Sequence, residues 1–247
     1  MQSLEQIAKE ILKSDNFILS AHISPDADAI GSTSGLAHAL QKIGKSCTLY
    51  YADNIPQNLE DFTRGINVVH EIPEKQFDAV IILDTATKKR VGKNVDLLLR
   101  RAKRSFNIDH HISNDAWAEF NYIEADAASS TQIVFSLLKL LNIPLDTQIA
   151  NSLYAGLADD TGRFSFSNTN HKTLEVAAEL VKGGAQIDEV ANLLYFSIPA
   201  NAERNEAFKK ILNLAKSNDK NAGEEFTSGN KKDPILSNIN KTVSYTH

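Results

Sequence analysis

The run Ala79-Val80-Ile81-Ile82-Leu83 contains no polar residue and is followed at once by Asp84 and Thr85. An unbroken apolar run of this length, rich in β-branched residues, reads as a strand buried on both faces. Such a strand needs cover on either side. A single chain supplies that cover most readily as a parallel sheet with crossover helices. The flanking sequence agrees. Residues 17–21 and 47–51 are further short apolar runs, and residues 105–108 form a weaker one. Residues 29–43 have helical period, with Leu36, Leu40 and Ile43 on one face. From residue 129 onward helical patterns dominate, at 129–141, 146–158, 171–182, 187–196 and 201–216. Ser129 or Ser130 is placed to cap the first of these, and Gly183-Gly184 to end the third. The expected fold is α/β: a doubly wound, mainly parallel sheet flanked by helices, with a helical C-terminal part. Residues 1–15 form an amphipathic polar segment, and residues 217–247 read as a polar tail without sustained period.

Composition removes several classes. The 247 residues carry a net charge of −5, which argues against a protein that coats long duplex DNA through bulk positive charge. A single cysteine, Cys47, rules out a disulfide framework or a multi-thiolate zinc site and reads as a small core residue. No stretch approaches the roughly 18 apolar residues of a membrane span. A cytoplasmic location is the expectation. The sequence is compatible with a homodimer without fixing the oligomeric state.

The chemistry-bearing residues recur at one place in the pattern. His22, Asp26 and Asp28 follow the first strand and open the first long helix. Asp84 follows the most apolar strand, and Asp109, His110 and His111 follow the fourth. In an open parallel sheet these strand ends lie along one edge, where ligands bind. Asp160 adds a carboxylate after a later helix, with Asp159 the lesser candidate for that position. Carboxylates so close together repel one another unless cations lie between them. Oxygen donors with some imidazole suit Mn²⁺ or Mg²⁺ better than structural zinc. The donors outnumber what one open metal site needs, so two cations sharing a bridging carboxylate fit better, and such pairs hydrolyse phosphoesters. Asp26, Asp28, Asp84 and Asp160 would balance two dications.

Several groups suit a phosphate. Arg163 can donate two parallel bonds, and His111 can donate to a phosphate oxygen or protonate a leaving group. The amides around Ser130 suggest a second anion site at a helix N-terminus. Of the basic clusters, Lys88-Lys89-Arg90 lies close after Asp84 and can approach a nucleotide phosphate, whereas residues 100–104 read as a solvated face. His38 and His70 read as surface or loop histidines.

His22-x-x-x-Asp26-x-Asp28-Ala29-Ile30-Gly31-Ser32, Asp84, Asp109-His110-His111 and Asp160-Thr161-Gly162-Arg163-Phe164 resemble, in order, the motifs of the DHH phosphoesterase superfamily. The flanking sequence is most similar to its nanoRNase branch. The resemblance implies hydrolysis of very short RNA, or of 3′-phosphoadenosine 5′-phosphate, at a two-manganese site. His22, Asp26 and Asp84 would hold one cation and Asp28, Asp84, His110 and Asp160 the other, with Asp84 bridging. His111 would act on the substrate phosphate, with Asp109 orienting the histidines, and Arg163, Ser130 and Arg90 would contact substrate. The branch also implies a C-terminal domain with a glycine-rich, His-containing motif, and no Gly-Gly-Gly-His run follows Phe196. The organisation expected is a catalytic domain at 1–198, a linker helix at 199–216, and a tail or domain remnant at 217–247. The alternatives are the same site acting on pyrophosphate, cyclic dinucleotides or single-stranded DNA, or a metal-binding module without turnover.

Overall fold

The computed structural model describes residues 1–196. The helix expected at 201–216, the polar tail and the boundary at residue 198 lie outside the described residues.

Six parallel strands form one sheet in the order β3-β2-β1-β4-β5-β6. They are β1 (Asn16–Ser20), β2 (Ser46–Tyr50), β3 (Asn67–Val69), β4 (Phe77–Leu83), β5 (Ala102–Asp109) and β6 (Phe120–Ile123). The unbroken apolar run occupies β4, near the middle. Its alternation splits it between two cores. Ala79, Ile81 and Leu83 face the larger one, while Val80 and Ile82 face a smaller one with Ile18, Tyr50, Val95 and Leu98. That two-sided burial is why no polar residue is tolerated there.

Helices cover both faces. They are α1 (Leu4–Leu12), α2 (Ala27–Lys42), α3 (Val95–Arg100), α4 (Ser130–Leu140), α5 (Thr147–Asp160), α6 (His171–Lys182) and α7 (Ile187–Ala191). The amphipathic N-terminal segment is the helix α1. Ser3 and Gln6 form a reciprocal cap, and Leu4, Ile7, Ala8 and Ile11 are buried. Asp26 caps α2 by accepting from the Asp28 and Ala29 amides. This helix is buried from Ala27 to Leu40. It packs on α5 through small residues: a Cβ at Gly31 would lie 2.3 Å from the Ser152 carbonyl oxygen. No described helix is long and apolar enough to cross a membrane.

Two edge strands, β3 and β6, escape the sequence pattern because they are three and four residues long and only partly buried. The weak run at 105–108 is the end of an eight-residue strand. Its first half carries Lys103 and Arg104, which pair with Asp78 and Glu10. Those charges hid the strand, and their pairing agrees with a solvated face. His38 corrects a sequence reading: it is a buried residue of α2, with Nε2 3.1 Å from the Phe62 carbonyl oxygen. Burial pulls its pKa down.

Candidate metal centre

Sheet order decides where the site lies. From β1 the chain crosses to β2, and from β4 it crosses the other way to β5. The carboxyl ends of these adjacent strands therefore open a crevice at the reversal point, the general ligand site of open parallel sheets. His22 follows β1, Asp84 follows β4, and Asp109 ends β5 ahead of His110 and His111. Asp28 enters from the first turn of α2 and Asp160 from the last turn of α5. Backbone strain collects at the same edge. Asp84 has φ +49°, and Ser24, Arg163 and Phe164 also lie in the left-handed region. Such conformations persist where the surrounding structure enforces them.

The side chains meet as the strand-end argument requires. Asp84 Oδ2 is 3.3 Å from His22 Nε2, and Asp84 Oδ1 is 3.5 Å from His110 Nε2. The two oxygens of one buried carboxylate thus face two different imidazoles. His22 Nδ1 lies 2.8 Å from the Ile23 carbonyl oxygen. A carbonyl only accepts, so Nδ1 carries the proton and Nε2 faces Asp84 and Asp26. His110 Nε2 is also 3.2 Å from Asp160 Oδ2. Two groups have ligand atoms within 4.8 Å of one another: His22, Asp26 and Asp84, and Asp28, His110 and Asp160. A third, overlapping group joins Asp84, Asp109, His110 and His111. The donors are oxygen and imidazole nitrogen, and Cys47 is buried in β2. This set can hold metal ions of the hard divalent kind.

Electrostatics point the same way. Burial and the Asp84 charge push Asp28 up to about 7, against the pull of His110 and two backbone amides. Burial, then Asp28 and Asp84, push Asp160 up to about 9. For Asp84 burial acts upward, yet hydrogen bonds from His110 and His22 hold it well below the usual carboxylate range. Burial works to lower both histidines. Hydrogen bonds that His22 donates to Asp26 and Asp84 nevertheless raise it to about 10, and Asp84 with the neighbouring carboxylates raises His110 to about 9. Crowding of buried carboxylates raises their pKa values unless positive charge lies between them.

His111 sits at the mouth, its side chain 45% exposed. Its Nδ1 is 2.8 Å from Asp109 Oδ1, and Asp109 is fully buried. Asp159 stays outside the clusters. Arg90 is exposed on the turn after Asp84, and its carbonyl accepts from the Ile23 amide next to His22. Arg163 lies with its guanidinium 3.8 Å from the centre of the Tyr195 ring.

Ser130 requires a correction. The sequence predicts a helix N-terminus free to bind an external anion. Instead the Ser130 and Thr131 amides donate to Asp28 at 2.7 and 2.9 Å, and the Ser130 hydroxyl donates to Asp84 at 3.3 Å. Ser130 is fully buried. The anion at this helix end is the protein's own carboxylate.

Sequence reasoning also missed Gly156 on α5, where a Cβ would fall 2.6 Å from Asp28 Oδ1. Its signal was only a glycine one turn before Asp160.

A parallel sheet with clustered carboxylates and imidazoles at its reversal point, in this motif order, defines a family. The model of the DHH family, N-terminal domain, matches residues 16–157, and the chain belongs to that family. Among curated proteins it is 31% identical over 199 residues to the bifunctional oligoribonuclease and PAP phosphatase NrnA of Thermus thermophilus. That alignment covers 79% of this chain and 59% of the relative. The protein of the same description from Bacillus subtilis is 30% identical over 195 residues, covering 77% of this chain and 60% of that one. The chain thus spans about three fifths of the length of these relatives. Among solved structures, an exopolyphosphatase-related protein from Bacteroides fragilis superposes with a TM-score of 0.74 at 23% identity. It covers 83% of this chain and 63% of that one, a likeness of fold.

Proposed function

We propose that this chain is a phosphoesterase that hydrolyses short oligoribonucleotides, 3′-phosphoadenosine 5′-phosphate, or both, with two divalent cations, Mn²⁺ foremost. The observation that carries the reading is Asp84, whose two carboxylate oxygens face His22 on one side and His110 on the other. The relatives named for oligoribonuclease and PAP phosphatase activity support the substrate class.

His22, Asp26 and Asp84 are assigned to one cation, and Asp28, Asp84, His110 and Asp160 to the other. When bound, such a pair offsets phosphate charge and brings the pKa of a water near neutrality. The chain's own residues do the rest. The Ile23 carbonyl fixes the His22 tautomer, and Asp26 caps α2 with Oδ1 while its Oδ2 faces His22. The α4 amides hold Asp28 in place. Asp109 orients His111, leaving Nε2 to donate to a phosphate oxygen. Arg90 and Arg163 are the proposed substrate contacts at the rim. The catalytic domain is assigned to residues 1–198.

Purified protein with Mn²⁺ should release mononucleotides from a diribonucleotide, or phosphate from 3′-phosphoadenosine 5′-phosphate, and chelation should abolish turnover. Preference for pyrophosphate, a cyclic dinucleotide or single-stranded DNA in the same panel would replace the substrate class. Bound metal with no turnover on any of them would leave a metal-binding module.

Metal affinity should climb with pH. Ligands must be deprotonated to bind, and the pKa values of His22, His110 and Asp160 are raised to about 10, 9 and 9. Cation uptake at neutral pH therefore expels protons, and the apparent Mn²⁺ affinity should rise by about tenfold or more between about pH 6 and about pH 8. Calorimetry in buffers of different ionisation enthalpy reads both the affinity and the protons. Uptake without proton release would contradict these assignments.

A further inference from the structure

Asn114 lies on the loop beyond the histidine pair, five residues after Asp109. Its Nδ2 donates to Asp109 Oδ2 at 2.7 Å and to Asn107 Oδ1 at 2.8 Å. Asn107 is fully buried in β5, and its own Nδ2 donates to the Ile82 and Thr85 carbonyl oxygens at 3.3 and 3.2 Å. The amide pair therefore ties the end of β4, which carries Asp84, to the end of β5, which carries Asp109. The other Asp109 oxygen accepts from the His110 amide at 2.9 Å and from His111 Nδ1 at 2.8 Å.

We propose that Asn114 is a positioning residue: anchored on Asn107, it holds one oxygen of Asp109 so that the other fixes the His111 ring with Nε2 turned to substrate. This rests on the phosphoesterase reading of the same site. The chemistry is specific. A carboxylate has two faces to satisfy, and only a donor can occupy the face away from His111. With that donor gone, Asp109 is free to rotate about its side chain, and the imidazole loses its fixed orientation. Asn107 cannot replace it, because Asn107 offers Asn114 an acceptor and spends its donors on backbone carbonyls.

The rival role is local. Asn114 Oδ1 also accepts from the Ala116 amide at 2.8 Å, a turn contact that has nothing to do with Asp109. Two variants separate the roles. Asn114→Asp keeps size and the turn acceptor and loses its donor once pH is raised enough to ionise the new carboxyl beside Asp109, whereas Asn114→Ala removes acceptor and donors at every pH without adding charge. Thermal unfolding of each checks that the fold survives.

Both variants should lose about 10- to 100-fold in kcat on a diribonucleotide, with KM within about twofold of the parent and Mn²⁺ stoichiometry unchanged. The second readout needs no turnover. In ¹⁵N-histidine NMR of the Mg²⁺-loaded parent, His111, assigned by the signal missing in His111→Gln, should show a protected Nδ1–H that both Asn114 variants lose. A parental kcat and Nδ1–H signal in Asn114→Asp that persist as pH is raised through ionisation of the new carboxyl, with defects only in Asn114→Ala, would assign Asn114 to the turn and overturn the proposal. Loss of Mn²⁺ from Asn114→Ala would overturn it too, by making the residue a support of the metal cluster. Should the parent itself fail to turn over any phosphoester, the phosphoesterase reading falls. The NMR comparison would still decide whether Asn114 fixes His111.

Discussion

The Asp84→Asn protein should fold, lose tight binding of both cations, and fall by about a thousandfold or more in turnover. The size follows from the geometry. Asp84 is grouped with His22 and Asp26 while its other oxygen faces His110 of the second group, so on the proposed assignment its charge serves both cations. Metal-ion stabilisation of the transition state is worth several kcal/mol, and about 4 kcal/mol corresponds to about a thousandfold in rate. Asparagine is the informative replacement. It keeps the shape, tolerates the left-handed backbone at φ +49°, and removes only the charge. Metal content measured on the desalted protein, with kcat on a diribonucleotide, checks the result. A variant that retains two cations would mean that Asp84 does not bridge.

Gly156→Ala should damage the site through packing alone. A Cβ there would fall 2.5 Å from the Thr131 Cγ2, 2.6 Å from Asp28 Oδ1 and 2.8 Å from Asp28 Cα. Alanine in a helix interior is ordinarily favoured over glycine by about 1 kcal/mol. Here the overlap is with the backbone of α2 and with a carboxylate pinned by two α4 amides, which have little room to yield. Overpacking of this kind costs about 1–3 kcal/mol, occasionally more, and a net loss of about 2 kcal/mol would lower Tm by about 4–8 °C. The same displacement moves Asp28, so one of the two cations should bind at least about tenfold more weakly. Differential scanning calorimetry with Mn²⁺ titration reads both effects. A stabilised protein with unchanged Mn²⁺ binding would show that α5 has slack at this point.

What the sequence made legible was whatever a period or a strand end could encode. The apolar run at β4 announced a two-sided sheet, and the polar residues just beyond it marked the edge where His22, Asp84 and His110 meet. Residues that act by contact across the fold left no such trace. The Ser130 amides looked free because nothing local shows that Asp28, 102 positions earlier, reaches them. His38 looked like a surface residue because its partner, the Phe62 carbonyl, lies on a separate turn. Gly156 matters only because α5 meets α2 there. Asn107 and Asn114 are unremarkable polar residues until the loop folds back and closes on Asp109. The short edge strands β3 and β6 were hidden by their length, since three or four residues carry too few alternations to reveal a pattern.

Whether two cations share Asp84 is decided by electron paramagnetic resonance of the Mn²⁺-titrated protein. Two Mn²⁺ per chain with the exchange-coupled signal of ions about 3.5–4 Å apart is the predicted result. Saturation at one Mn²⁺, or two ions giving only the spectrum of isolated Mn²⁺, would contradict it.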